Sequence, residues 1–233
     1  MKQPTAPVAE IFCSLQGEGL YMGQRQVFLR LAGCNLRCAY CDEPAALDGA
    51  AARPLTAPAA AAAVIKLARA KKARDVSLTG GEPLLRWRFI RALAPLLKKA
   101  GLRLHLETNG VLHAELARVA PLLDVIAMDI KLPSSAAQKG FWAEHRKFLS
   151  VAPEKTFVKV VVVSETRLAE IERAVRLAAA VNAAAPFFIQ PATPREGVRP
   201  PPAAFLREAR RLARAKLDHA EVLPQQHPVW GVK

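Results

Sequence analysis

From Asp75 onward, apolar runs of strand length take turns with stretches of helical period, and that alternation leaves the chain few architectures. "DVSLTG", "LRLHLETNG", "LLDVIAMDIK", "TFVKVVVV", "PFFIQP" and "AEVLP" read as strands. "LLRWRFIRALAPLLKKAG", "ETRLAEIERAVRLAAAVN" and a stretch around Pro202 to Lys216 read as helices, with a shorter one near Ala114 to Ala120. Parallel strands cannot be joined by a tight turn and need a crossover, so this repetition implies an α/β fold with a parallel sheet. Several strands end in polar or glycine-bearing turns, "LTGGEP", "LETNG", "AMDIKLP" and "FIQPAT". That edge is where such sheets, open or closed into a barrel, carry their ligands. "EPAALDGAAARPLTAP" reads as a surface linker before a helix capped by Thr56, and "PATPREGVRPPP" as a rigid connecting loop.

At 233 residues the chain is expected to form one domain over 1–233. The start, "MKQPTAPVAE", lacks the basic and apolar pattern of a secretory signal, and no apolar run reaches the roughly 18 residues of a membrane span. A cytoplasmic protein with no membrane partner is expected. The formal net charge of +14 suits a partner bearing phosphates or carboxylates. The Lys and Arg residues, however, lie mostly on polar faces of alanine-rich helical stretches such as "RRLARAKLDHA", so nucleic acid is not the expected partner.

Three of the four cysteines fall in "CNLRCAYC", spaced C-x3-C-x2-C. In a reducing compartment so tight a group points to metal or redox chemistry rather than a disulfide framework. A closed zinc site wants a fourth Cys or His. The remaining Cys13, in "IFCSLQ", reads as a small buried strand residue, and no histidine is close in sequence. Three thiols on one short loop fit a [4Fe-4S] cubane better: Cys34, Cys38 and Cys41 would leave its fourth iron open to a small molecule.

That spacing, with Tyr40 before the last cysteine, resembles the radical S-adenosylmethionine superfamily, as does "TGGEPLL" at Thr79 to Leu85. Within it, "SLQGEG", "VFLRLAGCNLRC", "TGGEP", "LETNG", "FIQP" and a terminal "QQHPVWG" are similar to the 7-carboxy-7-deazaguanine synthase family, from near residue 10 to the C-terminal segment. The resemblance implies a partial, distorted (β/α)6-type barrel of parallel strands, about six of which can be counted, with its open edge closed by a second subunit in a homodimer. It also implies conversion of 6-carboxy-5,6,7,8-tetrahydropterin to 7-carboxy-7-deazaguanine with loss of ammonia. The cofactors implied are a [4Fe-4S] cluster, S-adenosylmethionine and Mg2+, with an external electron donor such as flavodoxin or ferredoxin.

Carried over by motif, the resemblance assigns Leu15, Gln16 and Gly17 to the pterin, with Glu18 supporting that turn. Arg30 is assigned to the substrate carboxylate, for which a guanidinium fork is suited, and Thr79 faces substrate. Tyr40, Asp42, Gly81, Glu82 and Gln190 fall on the cofactor side, with Asp129 and Lys131 near its ribose, although "MDIK" stands where Ser-Pro-Lys is usual. His227 and the terminal carboxylate of Lys233 are assigned to substrate. After the third cysteine the family has Asp and then Thr or Ser, whose hydroxyl helps bind Mg2+; here Asp42 is followed by Glu43, expected as a direct Mg2+ ligand. Two rivals stand beside this reading. A glycyl-radical-activating enzyme shares "MDIK" and the cysteine spacing, although "SLQGEG" and the terminal histidine argue against it. A metal-bound basic nucleic-acid module would share the charge and the cysteine loop.

Overall fold

The computed structural model describes residues 3–49 and 52–232. Its strands are β1 (Thr5–Leu15), β2 (Arg25–Leu31), β3 (Arg53–Thr56), β4 (Asp75–Gly80), β5 (Arg103–Thr108), β6 (Val125–Asp129), β7 (Thr156–Val162), β8 (Phe187–Pro191) and β9 (Ala220–Val222). They form one open sheet in the order β3-β1-β2-β4-β5-β6-β7-β8-β9. From β2 to β9 every pairing is parallel, whereas β1 runs antiparallel to both β2 and β3.

The helices are α1 (Ala45–Asp48), α2 (Ala57–Lys71), α3 (Trp87–Lys99), α4 (His113–Ala117), α5 (Pro133–Ala136), α6 (Trp142–Leu149), α7 (Leu168–Asn182), α8 (Ala203–Arg214) and α9 (His227–Trp230). From β2 on, spatial order follows chain order. Crossovers of one hand then lay the helices on one face, and α2 packs on α3, α6 on α7 and α7 on α8. The amphipathic pattern of α3 shows how that layer forms: Phe89, Ile90, Leu93, Ala94 and Leu97 are buried while Arg91, Lys98 and Lys99 face water.

Alternation along the strands sorts chemistry between the two faces. Val76, Leu78, Leu104, Leu106, Ile126, Met128, Val158 and Val160 are fully buried in the main core beneath the helices. The residues between them, Ser77, Thr79, His105, Glu107, Asp129 and Lys159, take the opposite, concave face because side chains alternate with a period of two. That face carries the polar groups.

The expected α/β class and parallel, barrel-like sheet are present, and Thr56 caps α2 as read, its Oγ1 accepting from Ala59 N at 3.3 Å. The sheet has nine strands rather than about six. The stretch read as a linker contains α1 and β3, because β3 pairs with β1 in the register Thr5↔Thr56 to Val8↔Arg53. Such an edge strand is specified by a distant partner, not by its own apolar pattern. Two further helices unanticipated from the sequence, α5 and α6, lie between β6 and β7. Among the described residues no helix is long and apolar enough to cross a membrane.

Candidate active site

At the C-terminal ends of the parallel strands lies a cavity of about 350 Å³. Its walls come from the cysteine loop, the strand ends of β4 to β8, and the segments that follow β1 and β9.

Cys34, Cys38 and Cys41 are free, half-buried thiols, and all three line this cavity. Leu36 N donates to Cys34 Sγ at 3.4 Å and Gln138 Nε2 to Cys38 Sγ at 3.6 Å. Burial pushes the Cys34 and Cys38 thiols up. The loop lies against the end of β4, where Glu82 N donates to Gly33 O at 2.9 Å. A Cβ on Gly81 would stand 2.4 Å from Gly33 O and 2.8 Å from Cys34 Cβ, so only glycine permits this approach. Among the described residues no three His, Cys, Asp or Glu side chains are grouped to hold a single ion. A thiol loop of this kind fits a polynuclear cluster, each thiolate on its own iron, better than a closed zinc tetrahedron.

Glu82 sits behind the cavity wall, 1% exposed. Its carboxylate accepts from Leu84 N (3.0 Å), Asn109 N (2.8 Å) and Thr108 Oγ1 (2.9 and 3.0 Å), bracing the "ETNG" turn after β5. Burial lifts its pKa to about 7 against the pull of those donors. Asn109 in turn donates from Nδ2 to Asn35 Oδ1 at 2.8 Å, linking that turn to the cysteine loop.

A chain of charges crosses the cavity. Tyr40 OH accepts from Lys131 Nζ at 3.0 Å, and Lys131 donates to Asp129 Oδ2 at 2.8 Å. Lys159 lies 3.7 Å from the same Asp129 oxygen and pairs with Glu18. Burial alone would raise the Glu18 pKa; Lys159 and the amide of Gln225 overrule it and bring the group down to about 2. Burial would likewise lower Lys131 and Lys159, but the facing carboxylates hold both well above the ordinary lysine range. Asp129 Oδ1 is buried and has no partner among the described residues. A ligand hydroxyl or amine entering the cavity would satisfy it, an arrangement suited to a ribose.

Glu18 also joins the two ends of the chain. It accepts from Gln190 Nε2 at 3.1 Å and Gln225 Nε2 at 2.5 Å, and the same Gln225 nitrogen reaches Asp42 Oδ2 at 3.0 Å. Gln226 N donates to Gly17 O at 2.9 Å. A Cβ on Gly17 would meet His227 Nδ1 at 2.6 Å, so the glycine lets the C-terminal segment close over the "SLQGEG" turn.

Arg30 and Thr79 are side by side in the β2–β4 register. The Arg30 guanidinium donates from Nε to Glu10 at 2.8 Å and pairs through Nη2 with Glu43 at 3.0 Å, above the ring of Phe12.

Leu15, Gln16, Gly17, Glu18, Arg30, Thr79, Tyr40, Asp42, Glu43, Gly81, Asp129, Lys131, Gln190, His227 and the three thiols all line the one cavity. Glu82 stands behind it, and Lys233 lies outside the described residues. Cys13 is half-buried on β1, opposite Val27, away from the other thiols. Among the cavity residues that escaped sequence reasoning, three bear directly on its charge network. Glu107 accepts from Gln16 Nε2 at 2.8 Å and Ser77 Oγ at 2.7 Å; its signal was a carboxylate in phase with His105 in an otherwise apolar strand. Lys159 announced itself as the one charge inside "TFVKVVVV". Gln225 carried no signal beyond its place in the terminal motif.

An open parallel sheet with a three-thiol loop and a glycine turn at its ligand-bearing edge defines a radical S-adenosylmethionine protein, and residues 29–157 match the family described as the Radical SAM superfamily. A 7-carboxy-7-deazaguanine synthase of Geobacter sulfurreducens is 38% identical over 99% of each chain. Another, of Methanopyrus kandleri, is 36% identical over 83% of each. The chain belongs to the Radical SAM superfamily and, within it, to the 7-carboxy-7-deazaguanine synthase family. Among solved structures, QueE from Escherichia coli shares the fold with TM-score 0.62 and 22% identity over 95% of this chain and 94% of that one. A radical SAM methyltransferase from Sphaerobacter thermophilus shares it with TM-score 0.67 and 17% identity over 86% and 66%. Membership brings a [4Fe-4S] cluster and S-adenosylmethionine, and the relatives favour neither rival reading.

Proposed function

We propose that the chain converts 6-carboxy-5,6,7,8-tetrahydropterin to 7-carboxy-7-deazaguanine and ammonia. The observation that carries this reading is the meeting, in one cavity, of the thiol loop, the "SLQGEG" turn, Arg30 and His227. Cys34, Cys38 and Cys41 would hold the cluster, with Gly81, Tyr40, Asp42, Asp129, Lys131 and Gln190 around S-adenosylmethionine. Bound there, the pair supplies a 5′-deoxyadenosyl radical for hydrogen abstraction. Glu82 acts through the Thr108–Asn109 turn that it braces.

On the substrate side, Gln16, held by Glu107, fixes the pterin edge with Leu15 and Gly17, while Arg30 and Thr79 take the carboxylate and His227 closes the cavity. Glu43 is proposed to hold Mg2+, which commonly uses one or two carboxylates plus water and substrate rather than an all-protein cage. Lys159 and Glu18 keep charge fixed beside the reacting ring and exclude water from it.

A homodimer closing the open sheet, an external flavodoxin or ferredoxin as reductant and a cytoplasmic setting complete the reading. The net charge of +14 suits an acidic electron carrier, and the exposed Val229 and Trp230 offer apolar surface to a second subunit. Anaerobic protein reconstituted with iron and sulfide, given S-adenosylmethionine, dithionite and the carboxylated tetrahydropterin, is expected to release one ammonia per deazaguanine detected by mass. Brown, cluster-loaded protein that leaves the pterin unchanged overturns the assignment.

A further inference from the structure

Arg30 is the guanidinium the proposed substrate carboxylate must reach, yet it already faces two carboxylates of its own chain. Glu10 accepts from Nε at 2.8 Å and Glu43 sits on Nη2 at 3.0 Å. The two differ in where they stand. Glu10 belongs to β1 and is opposite Arg30 in the β1–β2 register, so the sheet fixes that pair. Glu43 is on the loop just after the third cysteine, lines the cavity and has the more exposed side chain of the two, 37% against 23%. A third carboxylate approaching the guanidinium meets the charge of Glu43, and like charges so close repel strongly in a partly dry site.

Resting on the pterin reading above, the geometry points to Glu43 as an internal competitor for Arg30. It occupies the guanidinium when the cavity is empty, and the incoming substrate carboxylate displaces it. The released carboxylate, beside Asp42 on the same loop, is then available to a hard divalent cation. Cation and substrate carboxylate therefore bind with positive coupling: each favours the arrangement in which Glu43 has left Arg30. A neutral residue at this position removes the competition and, with it, the benefit of the cation to substrate affinity.

The test is equilibrium binding to the cluster-loaded protein, without reductant and with S-adenosylmethionine present. Two fully oxidised pterins serve as unreactive probes, 6-carboxypterin and unsubstituted pterin, each with and without MgCl2. In the wild type, Mg2+ is expected to tighten 6-carboxypterin at least tenfold and to leave unsubstituted pterin unchanged. In Glu43→Gln and in the shorter Glu43→Ala, 6-carboxypterin is expected to bind at least tenfold tighter than to the cation-free wild type, with little further response to Mg2+. Glu10→Gln separates exchange from a general charge effect, since it also removes one negative charge from Arg30 but leaves Glu43 in place; its Mg2+ response is expected to persist. The proposal is overturned if both Glu43 variants match the wild type, or if Glu10→Gln abolishes the response as they do. Binding of neither pterin to any form removes the pterin reading itself, and the competitor with it.

Discussion

The concave face of the sheet carries two buried charge clusters, one at the N-terminal ends of β2, β4 and β5 and one toward the C-terminal ends of β6 and β7, and the two are built differently. At the N-terminal ends, His105 Nε2 donates to Asp75 Oδ1 at 2.8 Å and Gln26 Nε2 reaches His105 Nδ1 at 3.5 Å. Tyr21 packs edge-on against His105 at 4.5 Å, and Arg103 closes on Asp75 at 3.4 Å. Of the buried side-chain atoms in these groups only Gln26 Oε1 lacks a partner among the described residues. At the C-terminal ends, Glu18, Lys159, Asp129 and Lys131 form a longer chain that borders an open cavity and leaves Asp129 Oδ1 unsatisfied. Polar groups below are arranged around one another, and those above are arranged around space. The lower cluster fixes the sheet, while the upper one holds charge ready for ligands.

The sharpest way to break that contrast is to damage each cluster and compare stability with turnover. Lys159→Met leaves Glu18 and Asp129 facing each other without their shared cation. It is expected to destabilise the protein by about 3 kcal/mol, as loss of one partner of a largely buried pair does. Turnover should fall about a hundredfold through misplaced ligand contacts. Asp75→Asn, which weakens the lower cluster, is expected to cost about 1–3 kcal/mol of stability. Its kcat/KM at a temperature where both proteins are folded should stay within about twofold of wild type. Urea denaturation beside single-turnover kinetics reads both numbers. Equal losses of turnover in the two variants would erase the functional distinction between the two ends.

Two buried groups, His105 below and Glu82 behind the cavity wall, differ in the sign of their pH dependence. Burial lowers the His105 pKa below the usual 6.5, with Asp75 opposing. The stability from keeping that ring neutral is therefore present above pH 6.5 and is lost as pH falls below it. Glu82 behaves oppositely. Its folded pKa of about 7 lies above the ordinary 4.5, so the metal-free fold loses stability as pH rises from 4.5 to 7, by about 3 kcal/mol in all. His145, held near 4 by burial behind the Asn109 carbonyl, adds to the acid limb from the upper side. Unfolding free energies between pH 4.5 and 8 should lose part of the acid limb in His105→Gln and most of the alkaline limb in Glu82→Gln. If Glu82→Gln leaves the alkaline limb in place, its carboxyl is not the group responsible.

The sheet and most of the cavity were legible because both rest on local signals. Period-two apolar strands ending in glycine or polar turns locate the ligand-bearing edge, and the cysteine spacing and "GGEP" fall on it. What was hidden depends on distant partners. β3 is a strand only because β1 lies beside it, and Gln225 belongs to the site only because the chain returns to Glu18. Arg30 was legible as a cavity residue; its capture by Glu43 was not, since thirteen positions of chain separate the pair and neither motif mentions the other. Lys159 was visible as an anomaly in an apolar strand, but the carboxylates that justify it come from β6 and the "SLQGEG" turn.

The smallest effect belongs to a residue remote from both clusters. Thr56 closes β3 and caps α2, its Oγ1 accepting from Ala59 N at 3.3 Å. Thr56→Ala removes one satisfied donor from the first turn of a helix that packs on β1 and α3, and should cost about 1 kcal/mol. Because α2 lies against the outer face of the sheet, neither charge cluster moves, and binding of S-adenosylmethionine and of 6-carboxypterin should equal that of wild type. A stability loss of the expected size with unchanged ligand affinities places the helix layer with the lower cluster, as scaffold. A loss of ligand affinity as large as that of Lys159→Met would mean that the outer layer sets the cavity geometry, and the division between the two faces of the sheet would no longer describe this protein.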